Sequence, residues 1–183
     1  DYNTGKHNDA LKTLQPMALD GNATAQLIVG LCYENGLGVE QNSETAMKWY
    51  ELASEQKNAP AQVRLAYCYA LGLGVPKDAA KAVQLIQDAA GAGDPEAQFT
   101  LALYYSKGMY GLEKNLEESF AWMQKSAEQG YGQAERYLGA CYEYGVGTKK
   151  DAALAQEWYA KAKAKGLERE GNIFATRDGR PQP

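Results

Sequence analysis

Three cysteines, one histidine and a serine–lysine pair are the residues of this chain whose types could carry covalent or metal chemistry. Cys32, Cys68 and Cys141 could act as nucleophilic thiolates or ligate a soft metal. Ser54-Glu-Gln-Lys57 has the Ser-x-x-Lys spacing of penicillin-interacting enzymes, with the serine as nucleophile. The Gly-x-Gly stretches at Gly36, Gly72 and Gly145 could, taken alone, cradle a phosphate. None of these grows into a constellation. His7 is the only histidine, so any Ser-His-acid or Cys-His arrangement would need it, and it lies in the weakly patterned N-terminal part. The Lys-Thr-Gly and Ser-Asp-Asn companions of Ser-x-x-Lys are missing. Each Gly-x-Gly follows a helical pattern and lacks a third glycine. The acids are scattered at helix starts and on solvated faces rather than clustered around a cation. The residues thus assign no catalytic, cofactor-binding or metal-ligating role.

The totals narrow the classes further. With 19 basic and 23 acidic residues the net charge is -4, which argues against a nucleic-acid partner, since such surfaces carry a basic excess. No apolar run reaches the length of a membrane helix. Apolar residues make up 45% of the 183, enough for a core over most of the length. The 13 tyrosines against 3 phenylalanines suit half-buried seams or binding surfaces. A start at Asp1 without methionine is expected of a processed form whose targeting signal is not in view.

The elements that position these residues emerge from internal repetition. The stretch from Gly30 to Val39 recurs at 65–75, 101–112 and 138–148, and the units begin at Ala25, Ala61, Ala97 and Ala134, spaced by 36, 36 and 37 residues. The extra residue falls in the third loop, Gly108-Met-Tyr-Gly111. Ala25, Val29, Cys32, Tyr33 and Gly36 share one helical face, and Ala46, Trp49, Tyr50 and Ala53 share another. Each unit is therefore predicted to be two antiparallel helices. The Gly-x-Gly pair should end the first, and Asn42, Asp78, Asn115 or Asp151 should cap the second. Asp94-Pro95-Glu96 supplies a cap, a first-turn proline and a first-turn acid. Small residues at the sixth position (Gly30, Ala66, Ala102, Gly139) should admit a neighbouring helix.

A helix pair of this size cannot bury both faces alone, so the units must stack. The expected fold is all-α, a right-handed superhelical solenoid of antiparallel helix pairs. Residues 1–24 form a partial repeat whose second helix, from about Lys6 to Asp20, Pro16 should kink or interrupt. Repeats follow at 25–60, 61–96, 97–133 and 134–169, and 170–183 make a cap and a loose tail.

The leading alanines, Val29/Leu65/Leu101/Leu138, Tyr33/Tyr69/Tyr105/Tyr142, the Gly-x-Gly loops and Trp49/Trp122/Trp158 together resemble the Sel-one-like repeat family, a relative of the tetratricopeptide solenoids. Leu85 departs from the tryptophan position. The resemblance implies a non-enzymatic adaptor that binds a protein partner, most often bacterial and in the periplasm or envelope. It also implies narrower alternatives: an immunity protein neutralising a secreted effector such as a lipase, a weak penicillin-interacting enzyme using Ser54, or a secreted host-binding factor. Some members pair two cysteines in each repeat, and the second of each pair is missing here. Equivalent positions on stacked helices lie at least about 8–10 Å apart, too far for a disulfide. The three thiols are accordingly expected to be buried and structural, which the cytoplasm also permits.

One line of residues is left over. Positions four, seven and eleven of the first helices read Ile28/Leu31/Asn35, Arg64/Tyr67/Leu71, Thr100/Leu103/Lys107 and Tyr137/Ala140/Tyr144. They vary while the core positions repeat. First helices line the concave surface of such solenoids, so this stripe is the candidate partner surface of a monomer. Tyr67, Tyr137, Tyr144 and Arg64 are of hot-spot type. The same line lies close enough to the core to be half-buried packing.

Overall fold

The computed structural model describes residues 2–169, Gly171 and Phe174, with side chains from Asp9 onward. Among them are nine helices and no strand: α1 (Tyr2–Leu19), α2 (Ala23–Asn35), α3 (Ser43–Glu55), α4 (Ala59–Leu71), α5 (Ala79–Gly91), α6 (Pro95–Lys107), α7 (Leu116–Glu128), α8 (Gly132–Tyr144) and α9 (Ala152–Ala164). The chain forms two compact units, Asp1–Ala97 and Gln98–Pro183. In the first, α1 packs on α2, α2 on α3, α3 on α4 and α4 on α5; in the second, α7 packs on α8 and α8 on α9. The architecture is an all-α solenoid of antiparallel helix pairs.

Local chemistry sets the helix ends. Asn42, Asp78, Asn115 and Asp151 cap α3, α5, α7 and α9, each side-chain oxygen accepting from a first-turn N–H. Asn22, Asn58 and Asp94 do the same for the first helices. Tyr131 takes that place before α8 without a side-chain capping hydrogen bond. Each loop is closed by a bond from the cap residue's N–H back to a tyrosine carbonyl, from Asn42 to Tyr33, Asp78 to Tyr69, Asn115 to Tyr105 and Asp151 to Tyr142, at 2.9–3.0 Å.

The two glycines of each loop have different duties. Gly36, Gly72 and Gly145 end their helices in the left-handed region and donate to a cysteine carbonyl four residues back. The second glycine is also a point of close approach. A Cβ on Gly74 would lie 2.7 Å from the Glu44 backbone, and one on Gly147 only 2.1 Å from the Leu116 carbonyl oxygen. The start of the preceding repeat's second helix rests there. The longer third loop absorbs its extra residue through left-handed Gly108, Tyr110 and Gly111.

The face shared by the repeats is buried. Ala25, Val29 and Cys32 in α2, and Ala134, Leu138 and Cys141 in α8, are at most 8% exposed. The sixth position makes room for a side chain rather than for another backbone. Tyr50 lies over Gly30 and Tyr159 over Gly139. Repeats two and three put Ala66 and Ala102 there and carry Ile86 and Met123 at the tyrosine position. Small faces large, and each enlargement of one partner is met by a reduction of the other.

Pro16 does not interrupt the helix: α1 runs through it to Leu19, and the Asp20 N–H still donates to the Pro16 carbonyl at 2.9 Å. The proline forfeits one helical hydrogen bond. Burial of Leu11 and Ala18, with Leu14 packed toward Ala25 and Val29, holds the helix together. The tail expected at 170–183 lies outside the described residues apart from Gly171 and Phe174, and Phe174 packs on the core that contains Leu138.

Candidate partner-binding surface

The variable stripe of the first helices divides by depth. Position eleven reaches solvent in three repeats, as Asn35, Leu71 and Lys107, and Tyr144 is half-buried. Leu71, at 56%, is among the most exposed large apolar residues, and Leu73 and Leu37 in the neighbouring loops are also exposed. Ile28, Leu31, Tyr67 and Leu103 are half-buried. Thr100 departs from the expected open face, being only 4% exposed, and Ala140 is at 2%. Thr100 lies within an arc of α6 on which Ala97, Leu101 and Tyr104 are buried too, so position four falls inside the packed side of that helix.

Arg64 and Tyr137 are among the stripe residues engaged within the fold. Arg64 donates through one guanidinium nitrogen to both oxygens of Glu96, at 3.1 and 3.2 Å, and lies 5.9 Å from the centroid of the Tyr67 ring. Burial pushes the Glu96 carboxyl above its ordinary range even though Arg64 pulls it down. Tyr137 meets Phe99 edge-on at 5.2 Å and Phe174 at 6.1 Å. These contacts make Arg64 and Tyr137 stitches within their own units. Asn35, Leu71 and Lys107, in the outer part of the stripe, stay exposed.

The chemistry-bearing residues are dispersed. Cys32, Cys68 and Cys141 are free and buried, and burial raises all three thiols, Cys68 to about 11 and Cys141 to about 12. Among the described residues no side-chain hydrogen bond joins Ser54 to Lys57, and no group of three or more His, Cys, Asp or Glu could hold a metal ion. His7 lies in α1, its side chain outside the described residues. No helix among the described residues is long and apolar enough to cross a membrane.

Sequence reasoning missed a second regularity, a polar contact between repeats. The second residue of each unit (Gln26, Gln62, Gln98, Glu135) is at most 7% exposed. Its oxygen accepts from the residue thirty positions on in repeat one, Gln56 Nε2 to Gln26 Oε1 at 2.8 Å, and from Gln129 to Gln98 at 2.8 Å. In the last repeat Lys165 Nζ donates to Glu135 Oε1 at 2.6 Å. The signal was present in the alignment of the units, where glutamine at one column met glutamine or lysine at another.

Helix pairs turned by glycine corners and stacked through repeating small and large residues define a tetratricopeptide-like repeat scaffold. The Sel1 repeat model matches residues 23–58, 59–94, 95–131 and 132–167, and the chain belongs to the Sel1 repeat family. A Sel1 repeat protein from Oxalobacter formigenes is similar at 32% identity and a TM-score of 0.81, over 87% of this chain and 64% of that one. A protective antigen present in uropathogenic Escherichia coli strains, with an SLR fold, is similar at 36% identity and a TM-score of 0.77, over 85% of this chain and 33% of that one. Chitin synthase regulatory factor 3 of Schizosaccharomyces pombe is 30% identical over 82% of this chain, which spans 12% of that protein.

Proposed function

We propose that this chain is a non-enzymatic scaffold of the bacterial envelope that binds a protein partner as a monomer, through the outer part of the first-helix stripe on its concave face. One observation carries the reading. The positions that all repeats share are consumed by packing, whereas position eleven changes from asparagine to leucine, lysine and tyrosine and is exposed in three of the four repeats. Exposed residues that differ while their frame repeats are available for recognition. Likeness to a protective antigen supports an envelope or secreted location, and likeness to a chitin synthase regulator supports a regulatory rather than catalytic role.

The test is alanine substitution of Leu71, Lys107 and Tyr144, singly, with partner retention and urea stability measured side by side. Loss of the partner at unchanged stability is the expected result. Stability loss with full partner retention would make the stripe core. A single stoichiometric toxin or lipase as partner would narrow the role to inhibition.

A further inference from the structure

In repeat two the polar contact between repeats is left open. Ala92 stands where the other units place Gln56, Gln129 and Lys165, so Gln62 has no counterpart to receive. A cavity of about 340 Å³ lies there, lined by Lys57, Gln62, Asp88 and Ala92. Gln62 is 7% exposed, and among the described residues nothing hydrogen-bonds its carboxamide. Its carboxamide is not sealed in the core but borders the cavity, where it offers both an acceptor and a donor.

The cavity wall differs from its equivalents at two more columns. Lys57 takes a left-handed φ of 60°, where Gly21, Gly93, Gly130 and Gly166 stand in the other turns. That backbone is sterically disfavoured for a lysine, and the residue stands on the cavity wall. Asp88 replaces Leu52, Lys125 and Lys161. In repeats three and four that lysine stacks on a tryptophan, Lys125 on Trp122 and Lys161 on Trp158, both at 3.8 Å. Repeat two has Leu85 in place of the tryptophan, and its carboxylate instead accepts from Gln84 at 2.8 Å and borders the cavity.

We propose that this cavity is a binding site for a carboxamide, the glutamine or asparagine side chain of a protein or peptide. The shape that is missing is the one Gln56 and Gln129 supply in their own repeats, an N–H donor to the buried glutamine oxygen. An incoming –CONH₂ has two N–H donors for Gln62 Oε1 and the Asp88 carboxylate, and a carbonyl oxygen for the Lys57 ammonium or Gln62 Nε2. A carboxylate ligand has no N–H for Gln62 Oε1 or for Asp88, and an apolar one makes no hydrogen bond to any of the three. The site is independent of the first-helix stripe, and it stands or falls separately.

The experiment titrates ¹⁵N-labelled full-length protein with N-acetylglutamine N-methylamide and follows the Gln62 side-chain NH₂ resonances. Saturable movement with a Kd on the order of 1–10 mM is expected, as befits one side chain. The matching glutamate compound should bind at least about tenfold more weakly. Ala92→Gln, which restores the arrangement of repeats one and three, should fold, fill the cavity and abolish the response. Lys57→Gly, the residue of the other turns, should fold and weaken binding. No saturable shift at Gln62 in the wild type, an equal shift in A92Q, or equal binding of the glutamate compound each overturns the proposal.

Discussion

Gly30 and Tyr50 share one space. A Cβ placed on Gly30 would sit 2.5 Å from the Tyr50 ring, and the Tyr50 hydroxyl donates to Glu34 one turn further along the same helix. The last repeat reproduces the set as Gly139, Tyr159 and Glu143, with the hydroxyl donating at 2.7 Å. Repeats two and three replace all three residues together, by Ala66/Ile86/Ala70 and Ala102/Met123/Ser106. The packing unit is therefore a triad with alternative solutions rather than a set of independent columns. Gly30→Ala should destabilise by about 1–3 kcal/mol through overpacking, despite alanine's better helix propensity. The triple change G30A/E34A/Y50I, which transplants the second repeat's solution, should recover most of that loss in urea unfolding. A stable G30A single variant would contradict the triad.

Glu135 is 4% exposed and relies on Lys165, whose side chain is 42% exposed. Lys165→Ala leaves a buried carboxylate without its cation. Solvent screening at the lysine end keeps the expected cost to about 1–2 kcal/mol, below that of breaking a fully buried pair. The double change E135Q/K165Q installs the glutamine pair of repeats one and three and should return stability to within about 1 kcal/mol of wild type. Thermal unfolding of the three variants checks this, and a double variant no better than K165A would refute the equivalence of the two pairs.

Alkali should unfold the protein through its thiols. The folded-state values of Cys68 and Cys141 are raised to about 11 and about 12 from 9.0. The unfolded chain therefore loses these protons first. The associated stability is complete below pH 9.0 and is lost as pH rises through about 11 and then about 12. Burial and the Glu34 carboxylate raise the Tyr50 hydroxyl as well, which acts in the same direction. The urea midpoint should fall steadily above pH 9.0, and less steeply in Cys141→Ala. Ellman's reagent should react with the native thiols only as fast as the protein opens, whereas rapid reaction of all three would show that they are accessible.

Lys57 carries backbone strain that its counterparts avoid by being glycine. Lys57→Gly should stabilise the chain by about 1 kcal/mol, the steric cost of a left-handed non-glycine residue. Chemical denaturation measures this directly, and a destabilised K57G would mean that the lysine side chain contributes more to folding than its conformation costs.

Much of the scaffold could be read from the sequence because four imperfect copies of one unit act as four samples of the same physics. Glycine at a helix end, asparagine or aspartate before the next helix and a column of alanines each have one economical explanation when they recur. What escaped notice were the pairings between columns. Gly30 with Tyr50 and Gln26 with Gln56 are visible only when a variation at one column is matched with a variation at another. Depth was also hard to read. Position four is half-buried as Ile28 and buried as Thr100, since a helix's accessible arc depends on everything packed around it and not on its own periodicity. Pro16 leaves α1 uninterrupted for a related reason, as side-chain burial on α2 outweighs one lost backbone hydrogen bond.

The outer first-helix stripe is proposed as the surface a partner reads. Site-specific photo-cross-linking in the native host tests it, with benzoylphenylalanine placed in turn at Asn35, Leu71 and Lys107 on the stripe and at Leu52 and Lys48, exposed positions on a second helix. The same discrete protein adduct from the three stripe positions, with none from the two on α3, is the expected result. Adducts of one protein from Leu52 and Lys48 with none from the stripe would contradict it.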